Sequence, residues 1–298
     1  MSSTPLTLQT DFALDAFLLD AQARNLSPRT IRYYRQQLGW FIQHLALSDA
    51  YDLNKLTSHH IRRYLVDLRD EREWKPASVQ AAFRAIRAFV NFCHAEDLMP
   101  QNPVERVKAP KADLHVKPAL TADEIQRLLT AARYQRDRAV LLCLLDTGCR
   151  ANEFLAWNIG DVNIATGVVR VRHTKARKER SVYLGSRTRR ELIKVLTAQD
   201  LRPDAPVWRT MDTGERLTYH GLKSMLQSLG KRTAINNCSA HAFRRTFAVM
   251  SLRNGMNIYA LQRIMGHSDL SVLRHYLSLV EDDLQEAHRS FGAVDNLD

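Results

Sequence analysis

Four short segments carry the residue types that bind anions and move protons. In Thr147-Gly148-Cys149-Arg150-Ala151-Asn152-Glu153 the glycine ends one helix and Arg150 opens the next. Arg150 and Glu153 stand three apart and share a helix face, where a carboxylate can hold a guanidinium in position. His241-Ala242-Phe243-Arg244 repeats the spacing, with Ser239 placed to cap the helix and Arg245 within reach of the same face. Gly266-His267 closes a third helix, and Tyr276 follows nine residues on. Lys175 lies in His173-Thr174-Lys175-Ala176-Arg177-Lys178, a basic stretch between two segments of strand-like alternation. A guanidinium offers a planar fork of donors to anionic oxygens, an imidazole exchanges protons near neutral pH, and a phenol needs help to ionise. Taken singly, each segment has a plainer reading: a surface ion pair, a surface His–Arg pair, a half-buried tyrosine among leucines, a solvated lysine.

The elements that must position these residues follow from periodicity. Length favours two domains, and a hydrophobic content of 45% supports ordinary cores in 298 residues. Residues 6–99 read as a four-helix bundle. Its helices carry Leu14, Phe17, Leu18 and Ala21; Tyr33, Tyr34, Leu38, Phe41 and Ile42; Ile61, Tyr64, Leu65 and Leu68; and Val79, Phe83, Ile86, Phe89, Val90 and Phe92. Ser27-Pro28 and Lys75-Pro76 mark helix starts. Residues 100–118, rich in Lys and Pro, suggest an extended basic linker. A second domain, 119–292, opens on Thr121-Ala122-Asp123-Glu124, a capping-box pattern. Helices are expected at about 122–133 and 136–146. Strands follow at 167–172 and 179–184, then mostly helix, with a tail at 293–298.

The net charge of +11 favours a polyanionic partner, nucleic acid first and an acidic membrane surface second. Arg29, Arg32, Arg35, Lys75, Arg84, Arg87, Lys108, Lys111, Arg177 and Lys178 are the candidates to meet phosphates. Cys93, Cys143, Cys149 and Cys238 are scattered without metal-type spacing, pointing to a reducing compartment and no disulfide framework. The N-terminus lacks a signal-peptide pattern, and no apolar run reaches the roughly 20 residues of a membrane span. A soluble, cytoplasmic, nucleoid-associated protein is expected.

Together and in order, the four segments resemble the motifs of the tyrosine recombinase family, which includes phage integrases and the Xer-type recombinases. TGCRANEFL resembles its first arginine box, HAFRRTFA its HxLRHTFA box, MGHSDLSVLRHYLSLV its LGHxxxxxTxxYxH box, and HTKARKER its β-hairpin GKGxKxR. LSPRTI near the N-terminus resembles the family's core-binding domain. Cys149 replaces a usual Leu, Arg245 a usual His, and Thr174 and Ala176 the glycines beside the lysine, which leaves Lys178 as the alternative to Lys175.

The resemblance implies a mainly α fold with a small antiparallel β-sheet, a SAM-like four-helix core-binding domain and an α+β catalytic domain. It implies catalytic Arg150, Lys175, His241, Arg244, His267 and Tyr276, with Glu153 in support. Tyr276 would attack a DNA phosphodiester to give a 3′-phosphotyrosyl link and a free 5′-hydroxyl, with no metal and no cofactor. The partners implied are double-stranded DNA and three further copies of the chain, a homotetramer on two duplexes, with a monomer in free solution. A type IB topoisomerase-like nicking and resealing enzyme, and a catalytically silent DNA-binding relative, are the alternative readings.

Overall fold

The computed structural model describes residues 6–47, 52–111, 117–172, 179–197 and 202–266, with side chains from residue 10 onward. The chain divides into two compact units, 1–115 and 116–298.

The first unit holds four helices among its described residues: α1 (Leu6–Ala23), α2 (Pro28–Ala46), α3 (Ser58–Asp70) and α4 (Pro76–Ala95). Pro28 and Pro76 occupy first-turn positions, and the Ser27 hydroxyl accepts the Thr30 N–H at 3.1 Å. The apolar stripes face one another around Phe17, whose ring meets Tyr34, Phe89 and Phe92 edge-on. Burial pushes the Tyr64 phenol up to about 12. Met99, Val104 and Val107 are also buried in this core, and Pro103–Arg106 form a 3-10 turn. The first part of the segment expected to be an extended linker therefore packs on the bundle, because the side chains of Val104 and Val107 gain more from burial than from solvation.

The second unit is α+β. Its described elements are α5 (Ala122–Ala131), α6 (Gln135–Thr147), α7 (Ala151–Leu155), β1 (Val162–Asn163), β2 (Val168–Val171), β3 (Arg180–Tyr183), α8 (Ser186–Leu196), α9 (Tyr219–Thr233), α10 (Ala240–Arg253) and α11 (Ile258–Met265). Thr121 and Glu124 form the expected reciprocal cap of α5, at 3.1 and 2.8 Å. The strands run antiparallel in the order β1-β2-β3, with Val169 opposite Val182 and Val171 opposite Arg180. Side chains alternate across a strand, so Val169, Val171 and Val182 turn into the core. α6 supplies the centre of that core, and a Phe154, Trp157 and Trp208 group closes one end, Phe154 stacked on Trp208 at 4.6 Å.

α10 lies between two apolar clusters. Ala242 and Phe243 face the main core, while Phe247, Ala248 and Val249 join Leu261 and Met265 of α11. Met250, on the same helix, is exposed. No helix among the described residues is long and apolar enough to cross a membrane.

Gly148 ends α6 in the left-handed region, at φ +56°, and a Cβ there would collide with the Phe247 ring. Gly214 also has positive φ, +69°, but open space around it. Gly148→Ala is expected to cost about 2–4 kcal/mol by chemical denaturation, because strain and overpacking add, and Gly214→Ala about 1 kcal/mol. Equal costs would contradict this packing of α10 on α6.

Candidate active site

Arg150 occupies the N-cap position of α7, and its neighbour three residues on fixes it twice. The Glu153 carboxylate accepts the Arg150 backbone N–H at 3.0 Å through Oε2, and the guanidinium Nη1 at 3.0 Å through Oε1. Glu153 is almost fully buried, whereas the Arg150 side chain keeps 36% of its surface exposed. Burial alone would raise the Glu153 carboxyl. The hydrogen bond and charge of Arg180, and then the two Arg150 contacts, outweigh it and hold the group below its ordinary value.

Arg180 was not among the residues singled out in the sequence. It donates from Nη2 to Glu153 Oε2 at 2.7 Å and from Nε to the Ile264 carbonyl at 2.7 Å. The sequence did hold a signal: Arg180 has the same strand parity as Val182, the inward-facing position, and it is the last residue of HTKARKER.

Arg244 is 4% exposed on α10 and donates to the carbonyls of Gly148 and Met265, the latter at 2.9 Å. Arg150 reaches the Gly266 carbonyl from both terminal nitrogens at 3.4–3.5 Å. Three successive carbonyls at the end of α11, those of Ile264, Met265 and Gly266, therefore each receive one arginine. Carbonyls at a helix C-terminus lack intrahelical partners and carry the negative end of the helix dipole, so they are natural seats for cations.

Ser239 caps α10, accepting the Ala242 N–H at 3.2 Å, and brings His241 to the same region. Arg150, His241 and Arg244 line one cleft of about 640 Å3, together with Lys117, Tyr219 and Lys223. The last three had not been anticipated; no motif spacing marks them. His241 is solvent-accessible, yet partial withdrawal of its ring from water, and then the charges of Arg245, Arg244 and Lys117, hold its pKa below the ordinary histidine value. Cys149 also lines the cleft, but burial pushes its thiol up to about 11, so it stays protonated at neutral pH. The other three cysteines are buried free thiols.

Arg245, which shares the helix with Arg244, turns elsewhere and donates to the Pro118 carbonyl at 3.0 Å. Arg244, and not Arg245, lines the cleft. Lys175, Arg177, Lys178, His267 and Tyr276 lie outside the described residues. In the bundle, Arg29, Arg32, Arg35, Lys75, Arg84 and Arg87 are all exposed, as are Lys108 and Lys111 beyond it. The Tyr33 hydroxyl donates to the Ala81 carbonyl, joining α2 to α4, and Arg84 is near enough for its charge to act on Tyr33. The arginines of α2 and α4 thus stand on adjoining helices.

The electrostatics set a titration. A depressed pKa means that His241 is neutral at pH 7 and binds its proton only below the ordinary value of about 6.5. In the free protein, the His241 NMR titration midpoint should fall below that value and move upward in Lys117→Ala. A midpoint at or above it would mean that neither the withdrawal from water nor the surrounding cations govern this ring, and an unchanged midpoint in Lys117→Ala that Lys117 does not act on it.

Residues 118–282 match the Phage integrase family, and residues 13–98 match the N-terminal SAM-like domain of phage integrases. Tyrosine recombinase XerA of Saccharolobus solfataricus is 32% identical over 251 residues, covering 80% of this chain and 79% of the relative. Tyrosine recombinase XerC of Oceanobacillus iheyensis is 30% identical over 295 residues, covering 94% and 95%. Among solved structures, a lambda integrase (75-356) dimer bound to a COC' core site superposes with a TM-score of 0.74 at 18% identity, covering 89% of this chain and 94% of that one. At that identity the likeness speaks for the fold, which is the one expected: mainly helical, with a small antiparallel sheet. The extent of the family match and the identity to two recombinases agree with the cleft of paired guanidiniums and imidazole, and the chain belongs to the phage integrase family of tyrosine recombinases, enzymes that break and rejoin DNA.

Proposed function

We propose that this chain carries out site-specific recombination with Tyr276 as nucleophile and Arg150, His241, Arg244 and His267 around the reacting phosphate. The Tyr276 oxygen attacks phosphorus, the bond from phosphorus to the 5′-oxygen breaks, and the departing 5′-oxygen takes a proton. The product is a 3′-phosphotyrosyl link and a free 5′-hydroxyl. A 5′-hydroxyl from a second duplex reverses the step, so the energy of the broken bond is retained in the intermediate.

The observation that carries this reading is the meeting of Arg150, His241 and Arg244 in one cleft, although they come from two distant parts of the chain. Negative charge grows on the non-bridging oxygens as the nucleophile adds, and fixed guanidiniums stabilise it without reorganising. A neutral His241 accepts the phenol proton or donates to phosphate, and His267 adds a donor. Lys175 is the proton donor to the 5′-oxygen, with Lys178 the alternative. Glu153 orients Arg150.

The bundle's exposed arginines, with Lys75, Lys108, Lys111, Arg177 and Lys178, bind the duplex backbone, so affinity falls as salt rises. Exchange between two duplexes needs four active sites, hence a homotetramer on DNA assembled from monomers. The lambda integrase structure contains a dimer on a core site, half of such an assembly. The enzyme would work where the DNA is, in the cytoplasm.

The test is covalent capture. The protein is incubated with sheared genomic DNA of its source, including the encoding locus, and denatured adducts are recovered and sequenced. Adducts at a discrete site are expected, absent in Tyr276→Phe and reduced about 100- to 1,000-fold in Arg150→Ala and Arg244→Ala. An adduct that survives Tyr276→Phe would overturn the assignment of the nucleophile. An adduct that never leads to strand exchange would favour a nicking and resealing enzyme, and no adduct at all a silent DNA-binding relative.

A further inference from the structure

Glu153 is shared unequally between two cations. Among the described residues, Oε1 meets only the Arg150 guanidinium, at 3.0 Å, whereas Oε2 takes Arg180 at 2.7 Å and the Arg150 backbone N–H at 3.0 Å. A lone arginine beside a carboxylate favours a bidentate pair, fork against fork. That arrangement would cancel the charge of Arg150 and turn its donors toward Glu153. Arg180 stands in the way. Its side chain is 10% exposed, on the inward face of β3, and anchored at the other end by the Ile264 carbonyl. It passes so close to Gly266 that a Cβ there would lie 3.1 Å from the guanidinium. Glycine at 266, with φ +64°, both ends α11 and leaves room for this side chain.

We propose that Arg180 is a positioning residue for strand cleavage: by occupying Glu153 Oε2 it confines the Arg150 guanidinium to a single contact with Glu153 and leaves its charge, and the donors not spent on Glu153 and the Gly266 carbonyl, for the phosphate. The arithmetic of the cluster supports this. One buried carboxylate between two guanidiniums leaves one net positive charge, and Arg150, at 36% exposure, is the member of the pair that lines the cleft. Arg180 does not line it. The inference rests on the role of Arg150 proposed above.

The experiment measures single-turnover cleavage and DNA affinity at the captured site for R180M, E153Q and E153Q/R180M. R180M should cleave about 10- to 100-fold more slowly, the range typical when an outer partner of a reactive group is removed, with DNA affinity within about threefold. Adding E153Q removes the carboxylate that captures Arg150. The double variant should therefore cleave at least about fivefold faster than R180M, and within about threefold of E153Q alone. A merely structural Arg180 predicts no such rescue. Wild-type cleavage by R180M, or a double variant no faster than R180M, would overturn the proposal. If R180M does not fold, the comparison of E153Q with E153Q/R180M decides, since a further loss of tenfold or more would overturn it by itself. Full cleavage by R150A is a separate failure, which would remove the reading of Arg150 beneath it.

Discussion

The end of α11 is the constraint on which the site depends. Its last carbonyls, at residues 264, 265 and 266, face three guanidiniums that come from β3, α10 and the start of α7. Unpaired carbonyls at a helix terminus require donors, and cations lodged inside a protein require negative potential. Each need meets the other here. The geometry of the three arginines is thereby tied to a backbone turn rather than to flexible side chains. That turn leads directly into His267 and the segment carrying Tyr276.

The scaffold explains why the turn stays in place. α10 packs on α6 through the main core and on α11 through a second cluster, so the C-terminal ends of α6 and α11 are held on either side of Arg244. Arg244 then bonds a carbonyl from each, at Gly148 and Met265. Gly148 is constrained twice, by a left-handed backbone and by the Phe247 ring. A residue with a side chain at that point would push α10 and α6 apart and carry Arg244 with them. Core packing and the placement of the guanidinium are one problem in this unit.

What was legible in the sequence was local. Spacing of three gave the Arg150–Glu153 pair, Ser and Thr gave the caps of α2, α5 and α10, and Gly148 and Gly266 gave two helix ends. Helical periodicity gave the bundle with small errors, Leu14, Tyr33, Tyr34 and Phe92 lying at the rim of its core rather than inside it. The meeting of Arg150 with His241 and Arg244 was legible only through the family resemblance, since no local rule relates residues so far apart. Arg180 was missed because a charged residue in an alternating strand is ordinarily assigned to the solvent side, and its partners lie 27 and 84 positions away. The burial of Val104 and Val107 was hidden by the prolines and lysines around them. The two-residue β1 has too few residues to show a period at all.

The two kinds of arginine in this chain do different physical work. Those on α2 and α4 are exposed and on adjoining helices, and the duplex contacts proposed for them would act through counterion release and tolerate changes of register on a uniform phosphate backbone. Those around the α11 terminus are buried or half-buried and each bonds a fixed oxygen. Their side-chain entropy is already lost in the folded protein, and their solvation has been exchanged for carbonyl and carboxylate partners. A phosphate bound there, as proposed, would meet donors that need not reorganise, which is the condition under which electrostatic stabilisation of a growing charge is strongest. The cost of such a site is a cluster of cations that repel one another in the absence of DNA. Glu153 offsets that repulsion without entering the cleft, because Arg150 and Arg180 enclose it on both oxygens. In the proposed reaction the carboxylate therefore has to be buried and shared: an exposed one would compete with the phosphate, and one paired with Arg150 alone would neutralise the cation proposed to meet it.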